Sequence, residues 1–191
     1  MNLILIFLIC FGLSLDLYAA IVCKGALLPS LEKNKLIFYS LVFGIWQLIT
    51  LSFGSIVAIF LSIAGFTREG QPINRLLGVV IFVCIAFRML KAAWKRETIL
   101  EKRLDGFSAK TVMTVCMQYG FYTFFSGIAF GLFRARLWQV LGMLVTITIF
   151  MVLLGFYTGY RFGYEMKNKA YLFGGGCILV VALYLTAGMV L

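Results

Sequence analysis

Apolar residues in this chain gather into six runs, residues 3 to 22, 37 to 58, 75 to 94, 111 to 132, 138 to 157 and 171 to 190. Charged residues lie almost entirely in the short segments between them. Each run reaches the roughly 20 residues that carry an α-helix across a hydrocarbon core of about 30 Å. The pattern predicts an all-α, polytopic membrane protein with six transmembrane helices. Composition agrees: a 191-residue chain that is 63% hydrophobic and 13% charged has too little polar surface to cover a soluble globule. The connections are too short for a soluble domain.

The net charge of +10 would fit a nucleic-acid partner only if the basic residues shared one exposed face, and they do not. Their distribution specifies topology instead. With the N-terminus outside, twelve Lys and Arg fall in the inward connections. Only Arg68, Arg75, Arg134 and Arg136 fall in the outward ones, and Arg88 lies within the third run. The positive-inside rule then places both termini outside in a multi-pass protein of the cell membrane, with the lipid bilayer as its first partner.

The longest inward connection, WKRETILEKRLDGFSAK, divides residues 1–94 from 111–191, with 95–110 as a cytoplasmic connector. Three helices are an odd number, so the second half enters the membrane from the opposite side, as in an inverted-topology repeat. Glu97, Glu101 and Asp105 recur every four residues in the connector, which suits a solvated or headgroup-facing helix. Gly155, Gly159 and Gly163, and likewise Gly127 and Gly131, line single helical faces where backbones can approach closely. Gly174, Gly175 and Gly176 are expected to loosen the first turn of the last span.

Several chemistries lack their residues. Histidine is absent, and Cys10, Cys23, Cys84, Cys116 and Cys177 are scattered without a CxxC pair, so they read as buried packing thiols. No GxSxG, HExxH or phosphate-cradling glycine loop occurs, and an enzyme is not expected. LYAA before Cys23 resembles a signal-peptide cleavage site, but no Lys or Arg precedes the apolar run and Asp16 interrupts its end. The first helix is expected to stay.

Asp16 is the residue that needs a function. It lies inside FGLSLDLYAAIVCKGA, where a carboxylate costs roughly 2.5–3.5 kcal/mol at mid-membrane unless a cation, a proton or a polar cavity meets it. Its neighbours three and four residues away, Gly12, Leu13, Ala19 and Ala20, offer no partner. Polar side chains at comparable depth are Gln47, Thr50 and Ser52 in the second run, Gln118, Thr123 and Ser126 in the fourth, and Arg88 in the third. Arg88 could neutralise Asp16 as a structural ion pair. Alternatively, carboxylate, amide and hydroxyl oxygens would suit a hard or borderline divalent cation such as manganese, magnesium or calcium.

FGLSLDLYAAIVCKGA resembles the first-helix signature of the manganese efflux pump (MntP) family, within the lysine-exporter superfamily. FGIWQ with Gly44 and Gln47, FRML with Arg88 and Met89, and LGFYTGYRFG followed by KAYLFGG extend the likeness over nearly the whole chain. The resemblance implies six spans in two inverted three-helix halves, no cofactor, and Mn2+ as transported ion. It also implies a second Ser-hydrophobic-Asp motif in the fourth helix. Here that position reads Gly120-Phe121-Tyr122, so Tyr122 stands where the second ion-site acid is expected. The resemblance further implies an acid after the Arg-Met pair, a proline in the second helix and an acid after Lys-Ala near the sixth, where this chain carries Ala92, Leu51 and Tyr171.

The expected function is divalent-cation (manganese) efflux, with Asp16 as ion or proton carboxylate, Gln47 and Thr50 as neutral oxygen ligands and Arg88 as counter-charge. A homodimer or a companion membrane protein could supply the missing acid. The alternatives are a non-transporting membrane subunit or scaffold of the same fold, or an exporter of a small organic solute using the aromatic fourth helix.

Overall fold

Lipid offers no hydrogen bonds to a backbone, so a long apolar run must satisfy its peptide groups internally, and an α-helix does this within one segment. A computed structural model describes residues 2–26, 33–63, 72–94, 109–163 and 165–190. It contains α1 (Leu3–Gly25), α2 (Lys33–Ile63), α3 (Pro72–Trp94), α4 (Ala109–Leu132), α5 (Leu137–Phe162) and α6 (Glu165–Val190). Among the described residues there is no strand. The acidic residues of the connector, Glu97, Glu101 and Asp105, lie outside the described residues.

Five helices are both long and apolar enough to cross a membrane. The exception, α4, has the length, at 24 residues or about 36 Å, but carries Gln118, Tyr119, Tyr122, Thr123 and Ser126 near its middle. α1 is the central element: 72% of its apolar window is buried, against 33–39% in the other four spans. It packs on α5 and α6, while α2 packs on α4 and α5. α3 lies against α6 and, more thinly, against α4.

The exterior is apolar. Ile45, Phe53 and Phe60 of α2, Phe87 of α3, Phe150 of α5 and Leu183 of α6 all point outward, as a lipid-bathed surface requires. Trp94, ending α3, and Trp138, opening α5, are almost fully exposed, where indole rings favour the headgroup level. The chain is therefore a multi-pass membrane protein.

Small residues set the helix spacing. A Cβ on Gly159 would run into the Val22 backbone and one on Gly127 into that of Leu51, so α1–α5 and α2–α4 meet backbone to backbone. Gly163 does not belong to that stripe; it caps α5 with φ of +65°, a conformation that favours glycine. Nor do Gly174, Gly175 and Gly176 open a helix, because α6 already begins at Glu165. Gly174 instead packs against Leu15 and the Gly12 carbonyl of α1, and Gly175 against Ala86 and Met89 of α3.

The cysteines are only partly as expected. Cys10 and Cys116 are buried, Cys23 and Cys177 are half-buried, and Cys84 is exposed. In lipid the outer face is as apolar as the core, so a thiol is accommodated on either.

Candidate functional site

Asp16 sits mid-way along α1 and is only 2% exposed. Its Oδ2 accepts a 2.8 Å charge-assisted hydrogen bond from Arg88 Nη1 of α3. Its Oδ1 is buried without a partner among the described residues. A carboxylate normally fills several acceptor positions, so this oxygen points to a place where a cation, proton or water would be favourable. Arg88 is less enclosed, with 25% of its side chain exposed. Its guanidinium carbon lies 3.3 Å from the centroid of the Tyr122 ring and 5.7 Å from that of Tyr119, both on α4. The arginine is thus held between a carboxylate on one helix and an aromatic face on another, each of which attracts a cation.

A second polar link runs beside this pair. The Tyr119 and Tyr171 hydroxyls are hydrogen-bonded at 3.0 Å, joining α4 to α6. Tyr122 and Tyr171 stand where the family resemblance implies acids, and Tyr119 joins the two groups, bonded to Tyr171 and 5.7 Å from the Arg88 guanidinium carbon. The replacements leave one carboxylate against one guanidinium, a pair with no net charge.

The α2 candidates are placed differently from Arg88. Gln47 Oε1 accepts a hydrogen bond from Thr148 of α5. Thr148 is in turn 3.2 Å from Ser14, two residues before Asp16. The Thr50 hydroxyl donates to the Trp46 and Gln47 carbonyls of its own helix. Neither Gln47 nor Thr50 hydrogen-bonds Asp16. Of the fourth-helix candidates, Thr123 donates to the Tyr119 carbonyl, Ser126 is buried without a hydrogen-bond partner among the described residues, and Gln118 is exposed.

The structure therefore brings Asp16, Arg88 and Tyr122 together from three helices, and links Gln47 to α1 only through Thr148 and Ser14. Sequence reasoning missed Thr148, which connects Ser14 to Gln47, and the pairing of Tyr119 with Tyr171. Nothing in the chain marks Thr148 apart from other threonines in its run. Tyr119 was detectable as lying three residues before Tyr122, on the same face of α4.

Among the described residues no three His, Cys, Asp or Glu side chains come close enough to form a metal cluster. A cation at Asp16 would need neutral oxygens or retained water to complete its shell.

Curated relatives match over nearly the whole chain. A protein named "Putative manganese efflux pump MntP" from Mannheimia succiniciproducens is 22% identical, covering 92% of this chain and 90% of its own length. Proteins of the same name from Methanobrevibacter smithii and Campylobacter jejuni are 22% and 24% identical, covering 98% and 94% of this chain and 98% and 92% of theirs. No solved structure matches. The family described as "Putative manganese efflux pump" matches residues 30–185, beginning after the α1 motif that first carried the likeness, and the chain belongs to that family.

Proposed function

We propose that this chain exports Mn2+ across the cell membrane by alternating access, with residues 1–94 and 111–191 acting as inverted halves about a site at Asp16. The observation that carries the reading is the position of Asp16: a buried carboxylate with one unsatisfied oxygen, paired to an arginine that lies against Tyr122 of the second half. Mn2+ is cargo here, not a resident cofactor, and the reading assigns no enzymatic step.

Helix packing supports the repeat. Ser14 of α1 bonds Thr148 of α5, and Gly120 of α4 lies against Thr50 of α2. Gly25 of α1 lies against Phe156 of α5, and Gly131 of α4 against Ala58 of α2. One residue offset carries 14 to 120 and 25 to 131, and a second carries 50 to 148 and 58 to 156. The first offset also carries Asp16 to Tyr122, so the two are equivalent positions facing one arginine. This is the relation expected of two half-sites around a pseudo-two-fold axis at mid-membrane.

Asp16 is assigned as the carboxylate for the ion or an exchanged proton. Gln47 and Thr50 are assigned as neutral oxygens of α2; Gln47 Oε1 accepts from Thr148 and the Thr50 hydroxyl donates to its own helix, so each oxygen keeps a lone pair for a cation. The basic residues of the inward connections assign both termini to the outside.

The Asp16–Arg88 pair specifically favours a second reading, a scaffold that keeps the fold without transport. Flux decides between them. Inside-out vesicles containing the wild-type chain should accumulate 54Mn2+, and Asp16→Asn vesicles should not. Wild-type vesicles without uptake would remove the manganese reading.

A further inference from the structure

We propose that Arg88 is a tethered occupant of the cation position, which an arriving divalent ion must displace and which returns to Asp16 once the ion has left. The inference rests on the manganese reading above. Arg88 fills the space between Asp16 and Tyr122, the two equivalent positions, so a cation bound by Asp16 and the guanidinium compete for one volume. Charge excludes joint occupancy as well: one carboxylate facing a dication and a guanidinium leaves two uncompensated positive charges in a poorly screened interior.

The displaced side chain has somewhere to go. Arg88 is partly exposed, and the α3–α4 seam where it lies is thin. Tyr122 also lines an open, largely apolar groove of about 680 Å³ along α4, together with Met113, Thr114, Met117, Gln118 and Phe121, so a guanidinium leaving Asp16 would depend there on the few polar groups present. Gln118, one turn from Tyr122 and exposed, offers an amide oxygen to a guanidinium leaving Asp16. Between ions, Arg88 spares the chain a bare buried carboxylate, which lipid penalises heavily.

The test uses the full chain. Mn2+ binding is read by electron paramagnetic resonance in detergent, and net 54Mn2+ efflux and Mn2+/54Mn2+ exchange are read in proteoliposomes at pH 7.5. Arg88→Gln removes the competitor, so Mn2+ should bind at least about tenfold tighter. Net efflux, which needs the empty site to return, should fall at least about tenfold, while exchange, which skips that step, should stay within about threefold. Folded Arg88→Gln protein with unchanged or weaker Mn2+ affinity, or with efflux and exchange lost together, overturns the proposal. If that variant does not fold, Tyr122→Leu, which only loosens the hold on Arg88, must tighten Mn2+ binding; unchanged affinity there overturns it equally. A wild-type chain that binds no Mn2+ defeats the manganese reading itself, and is recognised because no variant is needed to see it.

Discussion

Replacing Tyr122 by Asp puts a carboxylate at the position equivalent to Asp16 and tests the half-site relation directly. The ring it removes lies 3.3 Å from the Arg88 guanidinium carbon, so the new carboxylate enters the space in which the cation is held. Losing the cation–π contact forfeits about 0.5–2 kcal/mol, and the vacated ring volume costs about 1–3 kcal/mol of stability. Against this, a second carboxylate about 4 Å from a dication contributes about 8 kcal/mol at an effective dielectric constant near 20. Most of that is consumed in desolvating the ion and the acid and in moving Arg88 aside. A net gain of about 1.4–2.8 kcal/mol is the expected remainder, a ten- to hundredfold tighter Mn2+ dissociation constant. Titration of Mn2+ into detergent-solubilised wild-type and Tyr122→Asp protein measures it, with thermal unfolding confirming that the variant is folded. Folded Tyr122→Asp protein that binds Mn2+ no tighter than wild type would refute the placement of Tyr122 in the ion site.

Other expectations follow from single contacts. Asp16→Asn should reduce Mn2+ efflux at least about a hundredfold while leaving the chain membrane-inserted; removing one partner of a buried pair also costs about 3–5 kcal/mol, at the low end here because Arg88 is partly exposed, and thermal unfolding should register it. Thr148→Val should cost about 1–3 kcal/mol, because it takes the hydrogen bonds of both Ser14 and Gln47, and wild-type melting behaviour would disprove that link. Gly159→Ala should lower stability by about 1–3 kcal/mol by pressing on the Val22 backbone. Gly176→Ala, which meets nothing within 4 Å, should instead stabilise α6 by up to about 1 kcal/mol. Equal melting temperatures for these two glycine variants would contradict the close α1–α5 approach.

What the sequence disclosed was whatever departs from the lipid-soluble background. Asp16 and Arg88 are conspicuous because a charge within an apolar run has few tolerable environments, and their similar depth in helices entering from the same side foretells that they can meet. Tyr122 was found through the family resemblance, which implies a second acid at that place in the fourth helix; the weak likeness between the two halves did not disclose it. Hydropathy, in contrast, reports contact with lipid and not the start of a helix. Lys167 and Lys169 hold back the start of the apolar run to residue 171, yet α6 begins at Glu165, so Gly174 and Gly175 are not terminal but an interior contact surface. The hydroxyl links were illegible for a different reason. A serine or threonine within a span can satisfy itself on its own helix, as Thr50, Thr123 and Thr158 do. Only tertiary packing selects Thr148 for Ser14 and Gln47, or Tyr119 for Tyr171. The charge in the site was thus readable from one helix at a time, whereas the neutral oxygens that a cation would need are distributed by how helices lean on one another. The same argument bears on the missing acids: with tyrosine at 122 and 171, the resting pair of Asp16 and Arg88 is self-neutralising, so affinity for a dication depends on how readily Arg88 yields and not on the number of carboxylates alone.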